Sequence, residues 1–596
     1  MDGASGAWPV PAGQRGCQSA DWRYGTQACA FAPADQMTLG GRMNRILVIG
    51  LDGATFRVID PLMQEGRLPT IQRLVREGTR AVLESTPFPH SAPAWASCLT
   101  GVNPGKHGVF GFGVRDEENN YRFQLTNSTC IRVKTLPLLL TEYGKFSGWV
   151  NEPLSYPPYR IHGFMIAGLL TPLVAGNYTF PPELKGELLQ VIPDYATEVS
   201  PGRFNLKDIT GKAAYAEALL NSIRVRTKAS RFLMRRHSWD AFMVVFTELD
   251  RIQHSFWSPM DDSYPSSQGQ DRSLESLVSR SYEEIDNALE ILLNDLPDKT
   301  QVLIVSDHGF GPSARTFYMN RFLEEYGYLK FKVVRRFPSL RSPQSALTRM
   351  IQLTQIPRVF PRSKRTETPE IPDGRDPKNF KRKVERWVPE DMVDWSRTKA
   401  FADQYGIRIN MKGREPKGII APGKEAGALM EKLKDQLLQL KYPHNGNRVF
   451  EDIQTRDSVY IGPYVDKAPD LITFMEGGFP HPSYRARELF GPLERTRGSH
   501  TKEGIFLAWG ENTRKGKCLE RASIMDITPT ICYSLGVPRT LEMDGSVLDI
   551  FEAGLDPKRL SERGGTSIRE KGDVIPFTSE ETSEIEAKLR GLGYLD

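Results

Sequence analysis

The sequence predicts an α/β protein with a doubly wound, mostly parallel central sheet, helices on both faces and inserted subdomains. Three apolar runs carry this prediction. RILVIGLDG (45–53), AFMVVFTELD (241–250) and QVLIVSDHG (301–309) are each short, rich in β-formers and followed by an acid. Unbroken apolar runs of this length suit strands buried on both faces. Helical patterns lie between them, and strands alternating with helices form a parallel sheet. In such sheets ligands bind beyond the carboxyl ends of the strands, so Asp52, Asp250 and Asp307 are expected at one functional edge.

The remaining elements follow in chain order. Residues 1–42 are rich in Gly, Ala, Pro and Gln, have no apolar core, and read as a disordered extension. The folded domain is expected to begin near Met43 and to span 43–596. In RLPTIQRLVREG (67–78), Leu68, Ile71, Leu74 and Val75 fall at helical spacing and Gly78 suits a C-cap. AVLES (81–85) reads as a second strand. Within HSAPAWASCLTGVNPGKHG (90–108) a helix is expected from Ala94 to Thr100. SYEEIDNALEILLNDL (281–296) is an amphipathic helix, and SIMDITPTICYSLGVP (523–538) holds a helix opened by Asp526 or Thr528. Residues 115–240 and about 313–495 read as insertions.

Composition narrows the function classes. The 596 residues are 39% hydrophobic and 25% charged, with a net charge of +5. An excess that small does not point to nucleic acid or a membrane surface. Its basic, Pro-rich stretch RSKRTETPEIPDGRDPKNFKRKVER (362–386) reads as a solvated excursion. The six cysteines form no C-x-x-C pair and read as reduced thiols. The longest apolar candidate, FMIAGLLTPLVAG (164–176), is interrupted by Pro172 and falls short of the roughly 18 residues a span needs. A cytoplasmic protein is expected.

The chemistry sits beside the strand-end acids. Asp250 is followed four residues later by His254, a spacing that puts both on one side of a helical turn. Asp307 is followed directly by His308, and RGSHTKEG (497–504) supplies His500. Carboxylate and neutral imidazole are ligands for zinc and similar ions. Six such ligands divide into two sets of three, and two metals about 3.5–4 Å apart form a clamp for in-line phosphoryl displacement. Ser91 is the hydroxyl that such a pair would activate. His107 and Gly108 read as scaffold, His90 as a neighbour of the nucleophile, and Arg251, Arg497 and Lys106 as surface residues. No residue is assigned to substrate binding.

In this order LVIGLDG, HSAPAWASCLTGVNPGKHG, ELDRIQH, VSDHGFG and RGSHTKEG resemble the motifs of the alkaline phosphatase superfamily. The closest branch is the type I phosphodiesterase/nucleotide pyrophosphatase group, with its bacterial and archaeal predicted phosphohydrolase/phosphomutase members. The resemblance extends to DWSRTKAFADQYGIRINMKGREPKGI (394–419), APDL (468–471) and EIEAKLRGLGYL (584–595). It implies one metal on Asp250, His254 and His500 and a second on Asp52, Asp307 and His308, with Ser91 Oγ bridging toward the latter. It implies zinc at both, with manganese as the alternative. The activity it implies is a two-metal phosphoester hydrolase, foremost a phosphodiesterase, acting through a phosphoseryl intermediate on a small, nucleotide-like phosphoester. The alternatives are a metal-dependent phosphomutase and a non-catalytic binding member, the last of which would have lost ligands. Two departures stand out. Nucleotide pyrophosphatases commonly carry Thr as nucleophile and an Asn shortly after the HG pair, where this chain has Ser91 and Phe112. Sulfatases of the superfamily use C/S-x-P-x-R, and here Trp95 replaces the arginine.

Overall fold

A computed structural model describes residues 45–115, 121, 123–206, 208–257, 276–313, 315–332, 392–403, 406–475, 477–491, 498–552 and 575–591. The expected extension at 1–42 and the basic stretch at 362–386 lie outside the described residues.

The first strands are β1 (Arg45–Leu51), β2 (Thr79–Glu84), the ribbon β3 (Gly113–Arg115) and β4 (Phe123–Leu125), β5 (Ser147–Glu152), β6 (Gly163–Ala167) and β7 (Thr179–Phe180). They are followed by β8 (Ala241–Phe246), β9 (Thr300–Val305) and β10 (Gly309–Pro312). A second group comprises β11 (Ala400–Asp403), β12 (Gly406–Ile409), β13 (Asp452–Thr455) and β14 (Leu471–Phe474). The last are β15 (Gly498–Thr501), β16 (Glu503–Gly510), β17 (Lys517–Cys518) and β18 (Ala522–Ser523). The main sheet has ten strands in the order β17-β2-β16-β9-β1-β8-β5-β6-β7, with β18 also on β2. β1 lies parallel between β8 and β9, pairing Ile49 with Val244 and with Ile304. β16 is antiparallel to both β9 and β2, so the sheet is mixed toward that edge.

Strand alternation divides β1 between two cores. Leu47, Ile49 and Leu51 face one side, where α1 (Phe56–Gln64) and α2 (Pro69–Glu77) supply Val58 and Ile71. Ile46 and Val48 face the other, against α3 (Ser91–Thr100), which is followed by the short α4 (Pro104–His107), and against α5 (Leu136–Glu142). The first face also takes Leu188 of α6 (Leu184–Val191), Leu219 of α7 (Ile209–Arg236), Ile252 of α8 (Glu248–Phe256) and Ile285 of α9 (Leu277–Leu293). The second takes the helix Ile527–Ser534 through Ile531. Helices therefore cover both faces, and the sheet is doubly wound.

Three local expectations are corrected. Residues 115–240 are not simply an insertion, because β5, β6 and β7 belong to the main sheet and β5 runs parallel to β8 from Ser147 to Val150. SGWVNE is too mixed to announce itself as a central strand, and GFMIA is hidden in the longer apolar run 164–176. Asp250 is not at a strand end: β8 stops at Phe246, and Asp250 occupies the first turn of α8. α3 begins at Ser91 and not at Ala94, because the His90 ring accepts the Ala92 N–H as the N-cap. Within 313–495, β11–β14 form a separate antiparallel sheet, order β11-β12-β14-β13, over its own core of Phe322, Trp395, Phe401, Leu433 and Phe450.

Candidate active site

β1, β8 and β9 run in one direction, so the residues that follow them meet at one edge. Asp52 comes directly after β1, and Asp307 and His308 two and three residues after Val305. Gly53 makes the turn with φ +71°, and its N–H donates to Asp307 Oδ1 at 3.2 Å. A side chain there would meet Phe310 at 3.1 Å and the Asp250 backbone at 3.3 Å. Glycine is thus what lets the β1 turn lie against both other acids. Asp250 and His254 share one face of α8, with His254 Nε2 3.3 Å from Asp250 Oδ1. His500 arrives on β15, antiparallel to β10 with His500 opposite Phe310. That pairing stacks the His500 ring on His308, with centroids 3.7 Å apart at 18°.

The hydrogen bonds assign the imidazole tautomers. His308 Nδ1 faces the Gly309 carbonyl at 3.0 Å, His500 Nδ1 the Pro89 carbonyl at 2.9 Å and His254 Nδ1 the Gly498 carbonyl at 3.2 Å. A carbonyl oxygen can only accept, so each Nδ1 carries the proton and each Nε2 keeps its lone pair. The three Nε2 atoms converge. His254 Nε2 and His500 Nε2 lie 2.9 Å apart, His500 Nε2 is 3.1 Å from Asp250 Oδ1, and His308 Nε2 is 3.3 Å from Asp307 Oδ2 and 3.6 Å from Asp52 Oδ1. Lone pairs and carboxylate oxygens at these distances repel unless a cation lies among them. Backbone carbonyls that fix the ring in this way are the usual support of metal-binding histidines.

Electrostatics point the same way. Burial, then the neighbouring Asp307 and Asp250, push the Asp52 carboxyl well above its ordinary range. Burial and Asp250 do the same to Asp307. Burial works against ionised Asp250 as well; positive charge at His254 and His500 would hold that carboxyl well below its usual value, and with both rings neutral a cation has to supply that charge. Burial pushes His308 and His500 down, which keeps them neutral. Asp52 Oδ1 and Asp307 Oδ2 are buried without a hydrogen-bond partner among the described residues. Such orphaned carboxylate oxygens are costly, and a divalent cation removes the cost. Two sets of ligand atoms lie within 4.8 Å of one another: Asp52, Asp307 and His308, and Asp250, His308 and His500. His254 reaches the second set through Asp250 and His500, and His308 belongs to both. The donor set fits two adjacent divalent cations.

Ser91 is the first residue of α3 and is 2% exposed. Its Oγ is 3.3 Å from His308 Nε2, at a helix N-terminus where negative charge is favoured. One turn later Trp95 donates its indole N–H to Asp52 Oδ2 at 3.2 Å, a contact the sequence reading missed. Its signal was Gly50. A Cβ on Gly50 would lie 2.6 Å from the Trp95 ring, so glycine on β1 admits the indole. Gln253 was also missed: it donates to the Gly53 carbonyl at 2.8 Å and accepts from Tyr282 OH at 3.0 Å, tying α8 to the β1 turn.

The other residues singled out from sequence are distributed as follows. His107 is buried scaffold, 2.9 Å from Ser97 Oγ. His90 is buried and caps α3. Lys106 pairs with Asp544, outside the constellation. Arg251 is not a surface residue: it is 2% exposed and paired with Glu198 at 2.7 Å, because α8 turns that face inward. Arg497 lies outside the described residues. Phe112 is buried, edge-on to His90 with centroids 4.3 Å apart.

The sequence model of the type I phosphodiesterase / nucleotide pyrophosphatase family matches residues 46–501. No curated protein matches the chain. Among solved structures, the chain is similar to murine ectonucleotide pyrophosphatase / phosphodiesterase 5, an inactive variant in complex with AMP. That likeness is 12% identity over 84% of this chain and 97% of that one, with a TM-score of 0.46. It is also similar to phosphonoacetate hydrolase from Sinorhizobium meliloti 1021 in complex with phosphonoformate, at 13% identity over 84% and 98% of the two chains and a TM-score of 0.48. Among the described residues no helix is long and apolar enough to cross a membrane.

Proposed function

The chain belongs to the type I phosphodiesterase / nucleotide pyrophosphatase family of metal-dependent phosphoester hydrolases, and from that premise we propose that it cleaves a small phosphodiester through a phosphoseryl intermediate on Ser91. One observation carries this reading. Ser91 Oγ lies 3.3 Å from a His308 Nε2 that also meets Asp307 and Asp52, so the only hydroxyl proposed as nucleophile touches the ligand shared by both sets.

Asp52, Asp307 and His308 would hold one divalent cation, and Asp250, His254 and His500 the other, with zinc the first expectation and manganese the second. Such a pair supplies charge that favours a serine alkoxide and offsets charge on the leaving oxygen and the equatorial phosphoryl oxygens. The chain does the rest. α3 aims Ser91 Oγ at phosphorus; the Oγ–P bond forms as the ester P–O bond breaks, and the alcohol departs. Water then attacks phosphorus from the vacated side, the P–Oγ bond breaks, and the serine hydroxyl is restored with release of a phosphate monoester. The α3 N-terminus adds its dipole to the bound phosphoryl group.

The test is Ser91→Ala assayed on bis(p-nitrophenyl) phosphate with zinc and with manganese. Turnover should fall by about a thousandfold or more while two metals per chain are retained. Acid quenching of the wild type should trap a p-nitrophenyl phosphoryl group on Ser91. Undiminished activity in the variant would remove Ser91 from the role, and an absence of bound metal at micromolar zinc and manganese would remove the mechanism.

A further inference from the structure

The C-terminal helix Ser579–Gly591 sits on the loops around the nucleophile, although it follows Ser91 by nearly five hundred residues. Ile585 and Leu589 are 0% and 1% exposed and pack into one apolar cluster with Ala92, Ala96, Phe112, Leu154 and Leu170. Ala92 is the residue after Ser91. Three polar contacts fix the helix along its length. Tyr156 OH donates to Glu581 at 2.6 Å, and the Glu584 carboxylate accepts the N–H groups of Leu173 at 2.6 Å and Val174 at 3.1 Å.

The same buried face carries a lysine, whose amine burial pushes down to about 7. Lys588, beside Leu589, has a side chain 3% exposed and paired with Glu198, whose side chain is 1% exposed. The other Glu198 oxygen accepts from Arg251 Nη2 at 2.7 Å, and Arg251 Nη1 donates to the Val199 carbonyl at 3.3 Å. Arg251 directly follows Asp250 on α8 and precedes His254 by three residues. A buried chain of polar side chains, Lys588–Glu198–Arg251, thus runs from the last helix to the helix that presents two proposed metal ligands.

Buried ion pairs contribute little net stability relative to apolar side chains of the same size, and their best-attested use is to fix one arrangement among several. Leucine-like side chains at 588 and 251 would have closed this space with less desolvation. The apolar contacts of Ile585 and Leu589 already hold the helix down, so the charges have a different consequence. Charge at Lys588 would resist rotation of α8 about its axis, on which the approach of Asp250 and His254 to His500 depends.

We propose that Lys588 is a positioning residue for the metal site, acting through Glu198 and Arg251 on Asp250 and His254. The proposal rests on the reading of those residues as metal ligands. Its test separates the two. In the full chain, Lys588→Met keeps the length and apolar stem and removes the charge, while Lys588→Arg restores it. Zinc affinity is measured by chelator competition in the absence of substrate, with kcat and KM on bis(p-nitrophenyl) phosphate in parallel. Lys588→Met should weaken the binding of one of the two zinc ions by about ten- to a hundredfold and lower kcat with KM within about twofold. Lys588→Arg should recover most of both. Zinc affinity and kcat within twofold of wild type in a folded Lys588→Met protein would overturn the proposal. So would equal losses in the Met and Arg variants, which mark a packing role. Should Lys588→Met not fold, Glu198→Gln carries the same expectation, since it keeps the shape and removes the charge between the two cations. Zinc binding that responds as expected in a protein inactive on every phosphoester would leave the positioning role standing while the proposed reaction fails.

Discussion

Trp95→Phe isolates the least anticipated part of the site. The indole N–H to Asp52 Oδ2, at 3.2 Å, is the one hydrogen bond from a side chain to that carboxylate among the described residues, and Trp95 is fully buried. Two effects follow from the substitution and can be told apart. Removing part of the ring leaves a small void against Gly50 and Val245, worth roughly 1–2 kcal/mol of stability with or without metal. Removing the donor frees a buried carboxylate from a charge-assisted hydrogen bond worth about 1.5–3 kcal/mol, and with it the orientation of Oδ1 toward His308. As a loss of ligand orientation this corresponds to about ten- to a hundredfold in metal affinity. Chelator competition gives the affinity, and urea denaturation of the metal-free protein gives the packing cost. A variant with lower metal-free stability but unchanged zinc affinity would refute the argument and leave Trp95 as a core residue.

Two further outcomes follow from other buried contacts. Gly50→Ala places a methyl 2.6 Å from the Trp95 ring and 3.0 Å from Val245, so it should displace the indole and reduce zinc affinity in the same direction as Trp95→Phe, at a stability cost of roughly 1–3 kcal/mol; an affinity equal to wild type in chelator competition would show that the ring moves without losing Asp52. Glu152, at the end of β5, is 2% exposed, and burial lifts its carboxyl to about 8 from an ordinary 4.5, against a hydrogen bond from Tyr159. The folded chain therefore keeps a proton that the unfolded chain loses, and this group's contribution falls as pH rises through that interval, by about 1.4 kcal/mol per pH unit. Glu152→Gln should remove that slope, so its urea midpoint should gain on wild type between pH 5 and pH 8; a constant difference across the range would mean that Glu152 ionises freely in the fold.

The strands that lead to the candidate ligands were legible because burial on both faces leaves an unbroken apolar run, and because acids after such runs stand out. The helices beside them showed their period. β5 and β6 were not legible, since SGWVNE holds few apolar residues and GFMIA merges into the apolar run 164–176 that was weighed as a membrane candidate. The six ligand candidates and Ser91 could be named because each chemical type recurs beside a strand or glycine signal and the motifs fall in a familiar order. Arg251 could not be placed, because a charged residue on a helix looks exposed until its partner is known, and Glu198 and Lys588 lie 53 residues upstream and far downstream. Long-range polar pairs leave no periodicity. Trp95 was noticed only for the arginine it replaces, whereas its function depends on Gly50, forty-five residues earlier on another element.

The stretch that holds Ser91 also shows why its composition is so unusual for a helix. All ten residues of α3 are buried, which removes the amphipathic pattern a surface helix would show. One side meets the sheet through Trp95, Cys98 and Leu99; another meets the C-terminal helix through Ala92 and Ala96. Thr528 Oγ1 donates to the Cys98 carbonyl at 2.6 Å, and Thr100 Oγ1 to the Ala96 carbonyl at 2.6 Å. Small residues at 92, 94 and 96 permit this close approach on several sides at once. In-line displacement tolerates misplacement of the attacking atom of well under 1 Å before the rate falls steeply. A helix packed on all sides fixes its first residue far better than a solvent-facing one, whose end frays. On the proposed reading, the apolar, alanine-rich sequence after Ser91 would therefore serve catalysis without a reacting group of its own, by holding Ser91 Oγ 3.3 Å from His308 Nε2 before substrate arrives.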